Sequence, residues 1–321
     1  MLKSKIKFAR EARKKVSAFS LSTLRSRATA EDGQPSAFAC SAFTLLELLV
    51  VISILGILAA LTVPVLKNFG KSDATLGASR QLLDGVARAR QMAISQHTTV
   101  YMVFIPTNFW VDSLQTFPNP WWQSLSNATK TAATNLADRQ LSGYTFIARG
   151  AMGDQPGQHA WHYLDRWQGL PDGTFIAWAK FTNSPGQSYT INDLSTTPAK
   201  SYPIYGFNVT NNFPFPTETG TNTYPAGRII LPYIAFNYLG QLTFDGQTVA
   251  SRDEYIPLAH GSVLPLTDPT TKALKLLGPP DVFNSPDVAE MPPGNSINSS
   301  YNIVHIDRLT GRAVLEYHKM Q

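Results

Sequence analysis

Residues 42–66 read Ala42-Phe43-Thr44-Leu45-Leu46-Glu47 and then, from Leu48 to Leu66, LLVVISILGILAALTVPVL. The run after Glu47 carries no charge, and its only side-chain hydroxyls are Ser53 and Thr62. At about 1.5 Å rise per residue, a helix over it is roughly 28 Å long, close to the ~30 Å hydrocarbon core of a bilayer. One carboxylate, Glu47, stands at its edge. A charge in a spanning helix costs about 2.5–3.5 kcal/mol on insertion scales, so such a residue is by default a functional candidate.

The charge distribution gives this helix a direction. The chain's net charge is +5, but residues 1–42 alone hold nine Lys or Arg (3, 5, 7, 10, 13, 14, 15, 25 and 27) against Glu11, Glu31 and Asp32. The remainder has 18 basic and 19 acidic residues, so nothing in the folded part calls for nucleic acid. A basic segment beside an apolar helix places the N-terminus in the cytoplasm and the C-terminal part outside. A secretory signal peptide is the alternative, but its apolar core is usually shorter and no A-x-A site follows Leu66. The single cysteine, Cys40, lies ahead of the helix. A chain cut after residue 42 would have no disulfide within it.

The stretch from Ala42 onward resembles the N-terminal signature of type IV pilins and type II secretion pseudopilins: a small residue, then Phe-Thr-Leu-x-Glu, then an apolar helix. Gly56 and Pro64 match two further family positions. The one departure is Ala42, where the family usually has Gly. The resemblance implies cleavage between Ala42 and Phe43 by a prepilin peptidase and N-methylation of Phe43. It also implies pairing of Glu47 with the amine that cleavage creates on a neighbouring subunit, since a carboxylate in lipid needs a cation. Gly56 and Pro64 make the helix bendable; Pro64 removes a backbone hydrogen bond and should kink or locally melt it.

The fold expected is α+β. Residues 1–42 form a basic cytoplasmic leader, cleaved away. Residues 43–97 form a long helix, transmembrane over about 46–66 and roughly 80 Å in length. Residues 98–321 form an antiparallel β-sheet head with a loop-rich insertion over about 106–228. Past Lys67, Phe69, Leu76, Leu83, Ala87 and Ile94 fall on one stripe at helical spacing, and Arg80, Asp84, Arg88 and Arg90 lie between them. That stripe is expected to pack on the head. Helical spacing gives way at Thr98 to a β-branched and aromatic run, a first strand. This junction resembles that of H-type minor pseudopilins, as do the strand end Phe236–Gly240 and the Thr310-Gly311-Arg312 turn.

Within the insertion, strands are expected at Tyr144–Ala148 and Thr174–Phe181, with a short one at Tyr205–Val209 among long loops over 182–228. Further on, strands are expected at Arg228–Leu231, Tyr233–Tyr238, Tyr255–Leu258, Asn302–Asp307 and Ala313–Tyr317, the last two as a hairpin.

Candidate chemistry in the head is sparse. All six Trp (110, 121, 122, 161, 167 and 178) fall in one interval, readable as aromatic packing or as an exposed binding face. His159, His162 and Asp165 lack zincin spacing and read as a structural or exposed group rather than a metal site. No G-x-S-x-G, Walker or G-x-G-x-x-G motif occurs, and no EF-hand spacing supports a calcium site.

The reading is therefore a non-enzymatic structural subunit without cofactor, a minor pilin or pseudopilin of the inner membrane with its head in the periplasm. Its partners would be the prepilin peptidase, other pilin-like subunits with their inner-membrane assembly platform, and membrane lipid. Two rivals remain. One is a pilin-derived binding protein whose aromatic insert recognises a surface or polysaccharide; the other is an enzyme that uses the helix as a tether.

Overall fold

The structure is a computed structural model. It describes residues 44–107, 109, 126–150, 154, 160–193, 198–218, 228–275, 277–278, 282–283, 285–297 and 302–317, without the side chains of 59–73, 228, 277–278, 282–283 and 317. The chain divides into two compact units, 1–58 and 59–321.

Helix α1 spans Leu45–Gln96 and runs without interruption through Pro64. Of the two outcomes expected there, a bend or a melted turn, the second does not occur. Among the described residues, no helix is long and apolar enough to cross a membrane. Within the apolar run the described side chains end at Leu58, so those of the later part of the expected 46–66 span lie outside them. The helix ends where His97 adopts a left-handed conformation (φ 51°) and the Thr98 amide donates to the Ala93 carbonyl at 3.3 Å. The β-branched run that follows then extends as a strand.

Among the described residues, seventeen strands, two further α-helices and a 3-10 turn at Ala137–Arg139 follow. In order they are β1 Val100–Phe104, α2 Asn127–Thr134, β2 Gly143–Arg149, β3 Trp161–Tyr163, β4 Gln168–Gly169, β5 Thr174–Ile176 and α3 Ala179–Thr182. Next come β6 Ser188–Asp193, β7 Lys200–Tyr205, β8 Asn212–Pro214, β9 Arg228–Ile230, β10 Tyr233–Phe236, β11 Leu242–Thr243 and β12 Glu254–Leu264. The last are β13 Leu277–Gly278, β14 Val282–Phe283, β15 Asp287–Glu290, β16 Asn302–Ile306 and β17 Ala313–Tyr317. One sheet has the order β11-β10-β1-β2-β3, with β4 also on β2. The second has the order β15-β12-β16-β17, with β5 also on β12. All pairings are antiparallel, and the class is α+β as expected.

Register decides which residues enter the core. Met102 sits opposite both Phe146 and Ile234, so Val100, Met102, Phe104, Phe146 and Phe236 share one face of the first sheet. That face packs with Ala78, Leu82, Val86, Ala89 and Ala93 of α1, and with Ile256, Leu258, Val304 and Ile306 of the second sheet. The expected stripe is thus displaced around the helix. Leu76 and Ala87 are exposed, Leu83 and Ile94 half-buried, and Phe69 lies outside the described side chains. The reason is steric. The small Ala and Gly85 positions let strands approach the helix axis closely, and larger residues flank the contact.

The opposite face of the first sheet carries a second core. Tyr101, Val103, Ile147, Tyr233 and Ala235 pack under Phe213 and Phe215. A third, smaller one forms where the β6–β7 hairpin lays Ile191, Tyr202 and Ile204 on Ile303.

Three local expectations are corrected. The strand expected over Thr174–Phe181 stops at Ile176 and turns into α3, because the Ala177 and Trp178 carbonyls accept from Lys180, Phe181 and Thr182. The strand expected at Tyr205–Val209 lies earlier, at Lys200–Tyr205, paired with Ser188–Asp193 rather than left in a loop. Helix α2 was not expected; Ser126 caps it, its hydroxyl accepting from the Thr129 amide at 3.2 Å.

The β16–β17 turn meets the β10–β11 turn. Gly311 (φ 62°) packs so closely that a Cβ there would collide with the Gly240 carbonyl oxygen, and the Arg90 Nε donates to Thr310 O at 2.7 Å. Gly311→Ala combines a left-handed backbone with that collision. It is expected to cost roughly 1–3 kcal/mol, read as a fall in the thermal midpoint, whereas Leu309→Ala beside it should cost far less.

Candidate functional site

In the first unit, the described residues begin at Thr44 with a reciprocal cap. The Glu47 amide donates to the Thr44 hydroxyl oxygen at 3.2 Å. In return, the Thr44 amide and hydroxyl each reach Glu47 Oε2 at 3.4 Å. This is a capping box, which satisfies two otherwise orphan donors of the first turn. It also brings the carboxylate back to the positive end of the helix dipole. The sequence reading singled out Glu47 but missed Thr44; the Thr-x-x-Glu spacing was the available signal.

Beyond this cap the helix offers an unbroken apolar surface. Leu45 is 83 % exposed, and Ile54, Leu55, Ile57 and Leu58 are each more than half exposed. The one described hydroxyl of the apolar run is turned inward, with Ser53 Oγ donating to the Leu49 carbonyl at 2.8 Å. A helix apolar on all sides is stable only where lipid or other helices cover it. Gly56 has open space around it. Ala42 and Phe43, where the resemblance implies cleavage and methylation, lie outside the described residues, as do the side chains around Pro64.

Residues 38–63 match the family model of the prokaryotic N-terminal methylation motif. The chain carries the type IV pilin and pseudopilin signature. Phe43, Thr44 and Glu47 all fall inside the match. Neither a curated protein nor a solved structure matches the chain.

In the second unit, Trp161, Trp167, His162 and Asp165 are held by other protein groups. His159, Trp110, Trp121 and Trp122 lie outside the described residues. Trp161 and Trp167 pack against the second core, Trp161 centred 5.0 Å from Phe213 and Trp167 5.7 Å from Phe215. Trp178 is half-exposed. Asp165 pairs with Arg88 of α1 at 2.6 Å.

His162 is clasped between two carboxylates, with Nε2 3.0 Å from Asp154 Oδ2 and Nδ1 2.9 Å from Glu218 Oε1. Both ring nitrogens can donate only in the imidazolium form. Burial alone lowers the pKa, but the hydrogen bonds and charges of Asp154 and Glu218 outweigh it and raise His162 above the ordinary imidazole value. The clasp therefore stabilises fully below about pH 6.5 and is lost as pH rises through the higher folded value. The stability lead of the parent over His162→Gln is expected to shrink between pH 6 and pH 9, as measured by thermal midpoints.

A buried ion pair joins α3 to β12. Lys180 Nζ donates to Glu254 Oε1 and, at 2.6 Å, to the Tyr205 carbonyl, with the Phe207 ring centre 4.8 Å away. Both side chains are nearly inaccessible, at 0 % and 5 %. Burial lowers the Lys180 pKa, against the pull of Glu254. Buried from solvent, the pair ties α3 to β12 and fixes the fold.

Proposed function

We propose that this chain is a minor structural subunit of a type IV pilus or type II secretion pseudopilus. It enters the inner membrane with residues 46–66 spanning, N-terminus in the cytoplasm and head in the periplasm. A prepilin peptidase cuts between Ala42 and Phe43, Phe43 is N-methylated, and Glu47 pairs with the new ammonium of a neighbouring subunit. The head, residues 98–321, supplies protein contacts rather than catalysis.

The observation that carries this reading is the combination within the matched motif: an exposed, fully apolar helix surface headed by one carboxylate folded back to the helix start. The irregular connections of the head, dense in Pro and Asn, argue for a minor subunit, since such a surface repeats poorly along a filament. The test is to shear filaments from cells that carry an epitope on this chain. The processed chain should appear in the sheared fraction, and it should stay in the membrane as the uncut form when the prepilin peptidase is deleted. A chain found equally in both fractions regardless of peptidase would contradict the proposal.

A further inference from the structure

Strand β12 outruns its neighbour on one side. There β5 pairs with Leu258–His260, and the Gly261 amide donates to the Gly173 carbonyl at 2.9 Å. The chain ahead of β5 then turns away, the Thr174 amide donating back to the Pro171 carbonyl at 3.2 Å. On its other side β12 stays paired, in unbroken register with β15 from Gly261 to Leu264. Backbone groups of an antiparallel strand face its two sides in alternation, and those of Pro257 and Gly261 go to the β5 side. The N–H and C=O of Val263 therefore face the open side, where no strand pairs with them among the described residues. An open strand edge is a template for another chain.

The gap beside this edge is a cleft of about 240 Å³ between Gly261–Leu264 and Leu170–Phe175, with Asp138 and Ser142 also in its wall. Its charge is of one sign. Asp138 and Asp172 are exposed and have no ion pair or side-chain hydrogen bond among the described residues, and no Lys, Arg or His lines the cleft. Arg139, next to Asp138, is committed to the Trp167 carbonyl. Much of the remaining wall is apolar, with Leu170, Pro171 and Leu264 around the two carboxylates. Thr174 lines the cleft as well; it is 3 % exposed, and its Oγ1 has no hydrogen-bond partner. Buried hydroxyls are nearly always partnered, so this one marks a donor that the free chain lacks.

We infer that this cleft receives a basic side chain, Lys or Arg, carried by an extended segment of a partner protein that adds alongside β12 at Val263. Main-chain pairing holds such a segment, and the pocket for its side chain makes the contact selective. A Lys or Arg stem is apolar and its head charged, which matches methylenes to Leu170, Pro171 and Leu264 and the cation to Asp138 and Asp172. Thr174 Oγ1 accepts from the incoming segment. The contact lies in the head alone and depends neither on cleavage before Phe43 nor on entry into a filament.

The experiment uses the full-length chain in lipid nanodiscs and saturation-transfer NMR with four probes. These are N-acetyl-Val-Lys-Val-amide, its norleucine counterpart, the Lys peptide methylated on its backbone nitrogens, and n-butylamine. The Lys peptide should bind roughly tenfold tighter than the norleucine peptide. Asp138→Asn combined with Asp172→Asn should remove that difference and leave the thermal midpoint unchanged, since both side chains are exposed and unpaired. Backbone methylation should weaken the Lys peptide roughly fivefold or more. Thr174→Val should weaken the Lys peptide while raising the thermal midpoint of the free chain, a combination that a purely structural hydroxyl does not produce. Equal binding of the Lys and norleucine peptides, no binding of either, or indifference to the paired Asn substitutions would overturn the inference. Butylamine binding as tightly as the Lys peptide, or a methylated peptide binding unchanged, would also overturn it, in favour of a site for free cations.

Discussion

Lys180→Met is expected to destabilise the head by about 3–5 kcal/mol, a large share of the ~5–15 kcal/mol that holds a typical domain together. The side chains are similar in length, so the loss is not chiefly one of packing. It arises because Glu254 would keep a charge in a site 5 % accessible with its cation gone. The Tyr205 carbonyl would lose its donor as well. Glu254→Gln should cost a comparable amount from the other side, leaving the ammonium among Phe207 and the backbone. Lys180→Met combined with Glu254→Leu removes both charges, and most of the stability should return, because two buried ions are replaced by apolar volume. Urea unfolding followed by tryptophan fluorescence measures all three. A single substitution costing under about 1 kcal/mol would mean that the pair is solvated or neutral.

Glu47 governs the other large effect, on assembly rather than folding. Glu47→Gln keeps a side chain able to complete the capping box with Thr44 but removes the charge, whereas Glu47→Ala removes both. If the carboxylate pairs with a neighbouring ammonium in a lipid-like setting, either variant leaves that cation unpaired. The cost is about 3–5 kcal/mol, or more than a hundredfold in incorporation. Both variants should still be cut. Quantitative blotting of sheared filaments reads incorporation, and N-terminal sequencing reads cleavage. Normal assembly of Glu47→Gln would reduce Glu47 to a helix cap.

The N-terminal motif was legible because its chemistry is local: a cut site, a cap and a carboxylate within a few residues, followed by an apolar run. The closing hairpin was legible for the same reason, Asn302–Ile306 and Ala313–Tyr317 alternating about a turn that Asp307 pins by accepting from the Thr310 amide. The buried face of α1 was misplaced because hydrophobic size was weighed, whereas Ala78, Ala89 and Ala93 are buried for being small. The β6–β7 hairpin was lost among turn residues, though Ser188–Asp193 is half-buried on alternate residues. What no local pattern shows is long-range pairing. Lys180 finds Glu254 across 74 positions, and His162 finds Glu218 across 56. Likewise, Asp172 and Val263 line one cleft only because β5 pairs with β12.

The most direct test of the central claim is mass spectrometry of the N-terminal peptide after co-expression with a prepilin peptidase. The account predicts a peptide that begins at Phe43 and carries one methyl group on its amine. A chain whose Ala42–Phe43 bond stays intact in the presence of active peptidase would contradict it, leaving α1 as an anchor and the head as the seat of function.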